Sequence, residues 1–288
     1  MELTTIDTNN YAMMAKAMGM AAEVSDKKSS SLPRLRINHS PIIGSDKVLV
    51  KAGTFRLEVP DGPTYYGESA VIRPYMQRFM YKRFIKGMGD TPNRYVKTVM
   101  ADNLNMDLKD NDGGFNCGKP AGYIEDFKAL PQTMQDLIRQ IKRVRAVFGT
   151  IELVNAVTPK GESVEVDVHP FIWEIDNRDA FKEVGNVFSK LAKMQRLPVQ
   201  HDIALNTVQR ELPNGNSFYL PAVALNLNNT LSIEETEHSI FSDFLSWIEN
   251  YNTYILNAWT DKANEKMEED DIDVVDDLVD IEVEEVAQ

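Results

Sequence analysis

The stretch SAVIRPYMQRFMYKRFIK, from Ser69 to Lys86, governs the interpretation of this chain because polar and apolar side chains alternate along it. Alternation with a period of two is typical of a β-strand, whose successive side chains point to opposite faces. As a strand, the stretch has one face made of Tyr75, Gln77, Phe79, Tyr81 and Arg83, and a second made of Met76, Arg78, Met80, Lys82 and Phe84. As a helix, it would instead place Arg78, Lys82 and Lys86 on one polar stripe.

Neighbouring segments extend this β-rich pattern over residues 32–110. LPRLRIN and KVLVKAGTFRLEVP alternate similarly, and NRYVKTVMAD is expected to pair back on the quoted stretch through the turn GMGDTP. Further strands are predicted in AVFGTIELVNAV and VDVHPFIWEI, and two more flank Asn214-Gly215, a dipeptide that favours the positive φ angles of a tight hairpin.

Three helices are predicted from apolar residues at helical spacing. The first spans Pro131–Arg145, the second lies in DNRDAFKEVGNVFSKLAKM, and the third is long and begins at a capping box of Ser232 and Glu235. Strands and helices do not alternate as a parallel sheet requires. The sequence therefore predicts an α+β fold, with an antiparallel sheet or barrel elaborated with helices.

The distribution of charge separates a balanced body from an acidic end. The formal net charge is −13, yet the 28 residues from Asp261 to Gln288 hold thirteen acids and two lysines, a net of −11. The remainder is nearly neutral, which removes the objection that an acidic protein does not bind nucleic acid. We expect a flexible N-terminal segment at 1–31, a single α+β nucleic-acid-binding body at 32–260 (with a sub-boundary near 110–130 as an alternative), and a disordered acidic tail at 261–288.

The densest basic region runs from Arg73 to Lys97 and interleaves cations with aromatic rings. Proteins bind single-stranded nucleic acids in this way, with cations along the phosphates and aromatic rings stacked on exposed bases. The candidate DNA-binding residues are Arg73, Tyr75, Arg78, Phe79, Tyr81, Lys82, Arg83, Phe84, Lys86, Arg94, Tyr95 and Lys97, with a second cluster at Arg139, Lys142, Arg143 and Arg145. The alternative is structural, because aromatic residues in strands are usually core and basic residues beside them usually form a solvated face.

The acidic tail mixes carboxylates with isolated apolar residues and cannot bury enough apolar area to fold alone. It has two expected uses: to compete with DNA for the basic groove, and to bind partner proteins. Its candidate partner-binding acids are Asp270, Asp271, Asp273, Asp276, Asp277, Asp280, Glu282, Glu284 and Glu285. The alternative is a tail that only maintains solubility.

The segment DNDGGFNCGKPAG contains Gly113, Gly118 and Lys119 at nearly the spacing of a phosphate-binding loop. Pro120 occupies the place of the Ser or Thr that would bind magnesium, and the preceding residues are too polar for a buried strand. A glycine-rich turn is the simpler interpretation, and a nucleotide hydrolase built on Gly113–Lys119 is the alternative. The single cysteine, Cys117, fits a reducing cytosol, no Cys/His spacing indicates a metal site, and no apolar run is long enough to span a membrane.

The β-rich body, the basic-aromatic stretch and the acidic tail, together with PFIWEIDNRDAF, LPNGNSFYLP and NCGKPAGYIEDFKALP, resemble bacteriophage single-stranded-DNA-binding proteins of the replication and recombination type. The resemblance implies an OB-like barrel, no cofactor and no enzymatic activity. It also implies a location in the cytoplasm of the infected bacterial host, and partners among phage polymerases, helicases or primases, with self-association as a further expectation. Tails in this group often end in an aromatic residue, whereas this chain ends Val286-Ala287-Gln288. The main rival is a virion or assembly protein.

Overall fold

The computed structural model describes residues 31–285 apart from residues 88, 90, 123 and 213, with side chains described as far as residue 265. The flexible segment predicted at the N-terminus therefore lies outside the described residues, except for Ser31. The strands are β1 (Arg34–Ile37), β2 (Ile42–Ile43), β3 (Val48–Val50), β4 (Phe55–Glu58), β5 (Thr64–Gly67), β6 (Ser69–Ile85), β7 (Arg94–Lys97), β8 (Ile141–Val154), β9 (His169–Ile175), β10 (Ile203–Glu211) and β11 (Ser217–Leu225). The α-helices are α1 (Gln132–Gln140), α2 (Arg178–Lys193) and α3 (Glu235–Glu285), and short 3₁₀ turns occupy Asn116–Gly118, Phe127–Ala129 and Pro198–Gln200.

One large sheet organises the described part of the chain. Its order is β11-β10-β6-β8-β9-β1-β4-β5, with β7 added to β6, and β2 and β3 form a separate hairpin. Its strand pairs are antiparallel except that of β1 with β9. The predicted α+β fold with a mainly antiparallel sheet is confirmed. The OB-like barrel is not, because β11 and β5 end this sheet and no described pairing joins them.

Strands β6 and β8 form the centre of the sheet and are paired in register from Ser69–Val154 to Arg83–Ile141. Strand β8 starts inside the segment predicted as a helix at Pro131–Arg145, so that prediction holds only as far as Gln140. The apolar spacing of the helix continues into Ile141 and Val144, but ladder pairing with β6 overrides it. Tertiary pairing commonly outweighs such a local preference.

A β-bulge interrupts this pairing between Pro74 and Met76 and changes the faces of β6. The extra residue places Tyr75 and Met76 in one hydrophobic cluster, so Tyr75 does not share a face with Phe79 and Tyr81 as simple alternation predicts. After the bulge, Arg78, Met80, Lys82 and Phe84 occupy one face and Phe79, Tyr81 and Arg83 the other.

The two faces of the sheet are covered by different elements. Helix α2 packs Val184, Phe188 and Leu191 against one face in the largest hydrophobic cluster. Helix α3 packs Phe244 and Ile248 against the other face. A third cluster forms where residues near Leu108 and Cys117 cover Tyr81 and Val96. These covers determine which side chains of β6 remain accessible.

Helix α3 begins and ends differently from the prediction. The backbone N–H of Glu234 donates to Glu237, so the capping contact is displaced from the predicted pair Ser232 and Glu235. The helix continues to Glu285, whereas the sequence predicts disorder from residue 261. No Gly or Pro interrupts the chain between Glu235 and Glu285, so no residue there breaks the helix. No described helix combines the length and apolar character needed to cross a membrane.

Candidate nucleic-acid interface

Three lysines form a row across neighbouring strands at the end of β6. Lys82 lies directly opposite Lys97 of β7 on one side and Lys142 of β8 on the other. Directly opposed residues lie about 4.5–5.5 Å apart at Cβ, and like charges in such positions are destabilising. The fold therefore concentrates positive charge here against its own stability. Positions that break a local rule in this way are often functional or strained sites.

The lysine row opens onto a cavity of about 810 Å³ beside strand β9. Strands β1 and β9 pair at Arg34–Ile172, and the β10–β11 ribbon contributes Phe218 to Pro221 to the lining. Of the charged groups that line this cavity, six are cationic and two are acidic. They are Arg34, Arg36, Arg56, Lys82, Lys97 and Lys142 against Glu174 and Asp176. We call this space the cationic cavity.

A second pair of opposed cations lines the same space. Arg36 of β1 lies directly opposite Arg56 of β4, and Glu58 contacts both, at 3.5 Å from Arg36 Nε and 2.5 Å from Arg56 Nη2. Arg36 and Arg56 were not among the predicted DNA contacts, because they lie outside the dense basic runs of the sequence. A usable signal was present in LPRLRIN, where Arg34 and Arg36 flank the buried Leu35 and so share the outward face of a strand.

Aromatic rings stand at the edge of the cationic cavity. Tyr95 is 49% exposed, and Lys82 Nζ lies 4.8 Å from the centre of its ring. Phe84 packs 5.1 Å from Tyr95 and is also exposed. Phe218 and Tyr219 also line this cavity, and the Tyr219 backbone N–H donates to His39 Nδ1 at 3.2 Å. Cations and half-exposed rings therefore share one opening.

Two carboxylates partly neutralise the lysine row. Glu174 lies 3.4 Å from Lys82 Nζ and 3.8 Å from Lys97 Nζ, and Asp176 lies 3.3 Å from Lys142 Nζ. Burial raises the pKa of Glu174, but Lys97, Lys82 and Arg34 outweigh burial and bring it below the ordinary value. Burial also lowers the pKa of Lys97, against the attraction of Glu174. Even with these acids the lining keeps an excess of positive charge.

Several predicted DNA contacts are structural instead. Arg73 is paired with Glu237 at 2.8 Å and donates to the backbone oxygens of Val199 and Ser232, so it fixes the start of α3 to the sheet. Tyr75 and Tyr81 are only 6% and 3% exposed. Their rings are therefore closed to bases.

Phe79 and Arg145 contact each other on the face opposite the lysine row. The Arg145 guanidinium lies 4.9 Å from the ring of Phe79 and 4.4 Å from that of Phe181, and it donates to Gln77 Oε1. Burial lowers the pKa of Arg145 to about 10. This stack belongs to the interior, because Arg145 is 8% exposed.

The remaining predicted cations do not line the cationic cavity. Arg78 pairs with Asp102, Arg94 with Asp112 and Arg139 with Asp136. Arg83 and Arg143 lie on the face of the sheet away from the lysine row, opposite Ile141 and Tyr81 respectively. Lys86 is exposed beyond the end of β6. Of the sixteen predicted contacts, the structure brings Lys82, Tyr95, Lys97 and Lys142 together in the cavity, with Phe84 beside Tyr95.

The glycine-rich loop at Gly113–Lys119 wraps a carboxylate of its own. The backbone N–H groups of Asp112, Gly114 and Cys117 all donate to the side chain of Asp110. Lys119 Nζ donates to two backbone oxygens, those of Pro120 and Gly122. The donors that would surround a phosphate are thus already bonded, and the loop has the geometry of a turn.

The chain was compared with known proteins in three ways. No model of a protein family, no curated protein and no solved structure matched it. The geometry of the cationic cavity is therefore the best indication of function. The acids predicted to bind partners belong to α3, and the structure describes only their backbone.

Proposed function

We propose that this protein binds single-stranded DNA in the cationic cavity, without strong sequence preference and without catalysing a reaction. The observation that carries the proposal is the row Lys97–Lys82–Lys142, which opposes three like charges across adjacent strands beside exposed rings. Phosphates of a nucleic acid remove the repulsion within such a row and release counterions as they bind.

The rings favour a single strand over a duplex as the ligand. Stacking on Tyr95, Phe218 or Tyr219 requires a free base face, and base faces are hidden within a duplex. Each stacked base contributes about 1–3 kcal/mol with little dependence on its identity. Cations and rings recognise features common to all nucleotides, so weak sequence preference follows.

The sequence resemblance extends this proposal to a biological setting. In that setting the protein coats single strands during phage DNA replication or recombination in the host cytoplasm. The acidic end competes with DNA and recruits replication proteins. The charge of the chain supports this part, since a net of −11 lies in residues 261–288 and the cationic cavity is electrostatically complementary to it.

A fluorescence-anisotropy titration tests the proposal. Labelled single-stranded DNA, the matching duplex and single-stranded RNA are compared at about 50 and 200 mM salt, using strands longer than the ~4–16 nucleotides that one such module covers. We expect the single strands to bind more tightly than the duplex, with weaker binding at higher salt. Absence of binding to every nucleic acid at the lower salt would favour a virion or assembly role and refute the proposal.

A further inference from the structure

Glu174 of β9 contacts two of the three lysines in the row. Its two carboxylate oxygens face different lysines, with Oε2 3.4 Å from Lys82 Nζ and Oε1 3.8 Å from Lys97 Nζ. The side chain of Glu174 is 21% exposed, and the residue lines the cationic cavity. One acid is therefore shared between two ammonium groups that the fold places directly opposite each other.

These contacts are looser than a fully formed ion pair. A tight ammonium–carboxylate hydrogen bond measures about 2.7–2.9 Å, shorter than either distance here. Arg34 adds a third cation to the surroundings of Glu174, and together they hold its pKa below the ordinary value despite burial. Glu174 is consequently an ionised acid surrounded by more positive charge than it neutralises.

We propose that the Glu174 carboxylate marks a phosphate subsite, and that a backbone phosphate of the bound strand replaces it between Lys82 and Lys97. The inference rests on the proposed function. Carboxylates and phosphodiesters both present two oxygens that share one negative charge, so either group fits between two ammonium donors. Glu174 is then an internal competitor, and binding exchanges an intramolecular ion pair for an intermolecular one.

The two possible roles of Glu174 predict opposite changes in DNA affinity when the carboxylate is removed. If Glu174 only held the lysines in place, its removal would weaken binding because the lysines would lose their orientation. If Glu174 competes with phosphate, its removal tightens binding. The salt dependence is expected to stay near that of wild type, because the same lysines contact the phosphate in both proteins.

The test compares Glu174→Gln with wild type and with Glu183→Gln. Glu183 is an exposed acid on α2 outside the cavity lining, so its variant changes the net charge equally. For Glu174→Gln we expect tighter binding to single-stranded DNA at both ~50 and ~200 mM salt, with a salt slope near that of wild type because no phosphate contact is added. Glu183→Gln is expected to bind as tightly as wild type.

A second variant keeps the test valid if Glu174→Gln folds poorly. Glu174→Asp retains the charge but shortens the side chain by one methylene, which withdraws the carboxylate from the lysines. We expect its affinity to lie between those of wild type and Glu174→Gln. If wild type binds and either variant binds equally or more weakly, the inference is overturned and the proposed function remains. If neither wild type nor any variant binds a single strand, the proposed function itself has failed.

Discussion

Removal of the lysine row is the perturbation whose effect follows most directly from the structure. The variant replaces Lys82, Lys97 and Lys142 together with Gln, which keeps the approximate length of the side chain and a donor for Glu174 and Asp176. Each lysine that contacts a phosphate contributes about 0.7 to the slope of log affinity against log salt for a single strand. Three contacts therefore account for a slope of about 2.

The magnitude follows from that slope. Between about 50 and 200 mM salt, a fourfold change in concentration, the three contacts alter the affinity by about 20-fold. The loss of affinity caused by the variant is therefore expected to be about 20-fold larger at the lower salt. Fluorescence anisotropy with a labelled single strand at several salt concentrations measures this difference.

The matched control carries the same change of net charge elsewhere. It replaces Lys182, Lys190 and Lys193 of α2 with Gln; all three are exposed, and none lines the cationic cavity. We expect the control to retain nearly the wild-type slope. Equal slopes for the two triple variants, each confirmed to be folded by its thermal melting, would show that the lysine row does not contact the strand.

Four further outcomes are expected. Phe244 is 1% exposed and contacts two aromatic rings, so Phe244→Ala is expected to lower the free energy of unfolding by about 3–5 kcal/mol in chemical denaturation. Phe241 is 39% exposed, and Phe241→Ala is expected to cost much less. Equal losses of stability would show that α3 does not pack on the sheet as described. Burial raises the pKa of Cys117 to about 12, so iodoacetamide at pH 8 is expected to label it only after unfolding, and rapid labelling of the native protein would contradict this. Because the pKa of Glu174 is lowered in the folded protein, its ionised form stabilises the fold above pH 4.5 and this stabilisation is lost as the pH falls further. The difference in unfolding free energy between wild type and Glu174→Gln is therefore expected to shrink on acidification. A difference that stays constant would argue against the ion pairs. Deletion of residues 266–288 removes eleven acids and one lysine and is expected to tighten DNA binding, most strongly at low salt, and unchanged affinity would exclude competition by the tail.

Local patterns in the sequence were enough to predict much of the sheet. The alternation after Ser69, the turn before Arg94 and the dipeptide Asn214-Gly215 each specify a strand or hairpin from nearby residues, and the structure contains β6, β7 and the β10–β11 ribbon at these places. The same local reasoning failed at Ile141. There an apolar spacing compatible with a helix is overridden by pairing with β6, a partner more than fifty residues away.

The candidate site was only partly predictable for the same reason. Lys82 and Lys97 belong to a basic segment that stands out in the sequence, but their alignment with Lys142 depends on the register of three strands. The bulge at Pro74–Met76 moved Tyr75 to a different face, which alternation does not reveal. The order of residues shows that cations and aromatic rings are close together along the chain. Only the strand register shows which of them share a cavity.

Photo-crosslinking tests most directly whether the cationic cavity holds the strand. Single-stranded DNA carrying bromodeoxyuridine is irradiated in complex with the protein, and the modified residues are mapped by mass spectrometry. Tyr254 of α3 is more exposed than Tyr95, at 65% against 49%, and does not line the cavity, so exposure alone would favour Tyr254. We predict crosslinks at Tyr95 and, within the same cavity, at Phe218 or Tyr219. Crosslinks at Tyr254 with none in the cavity would contradict the account.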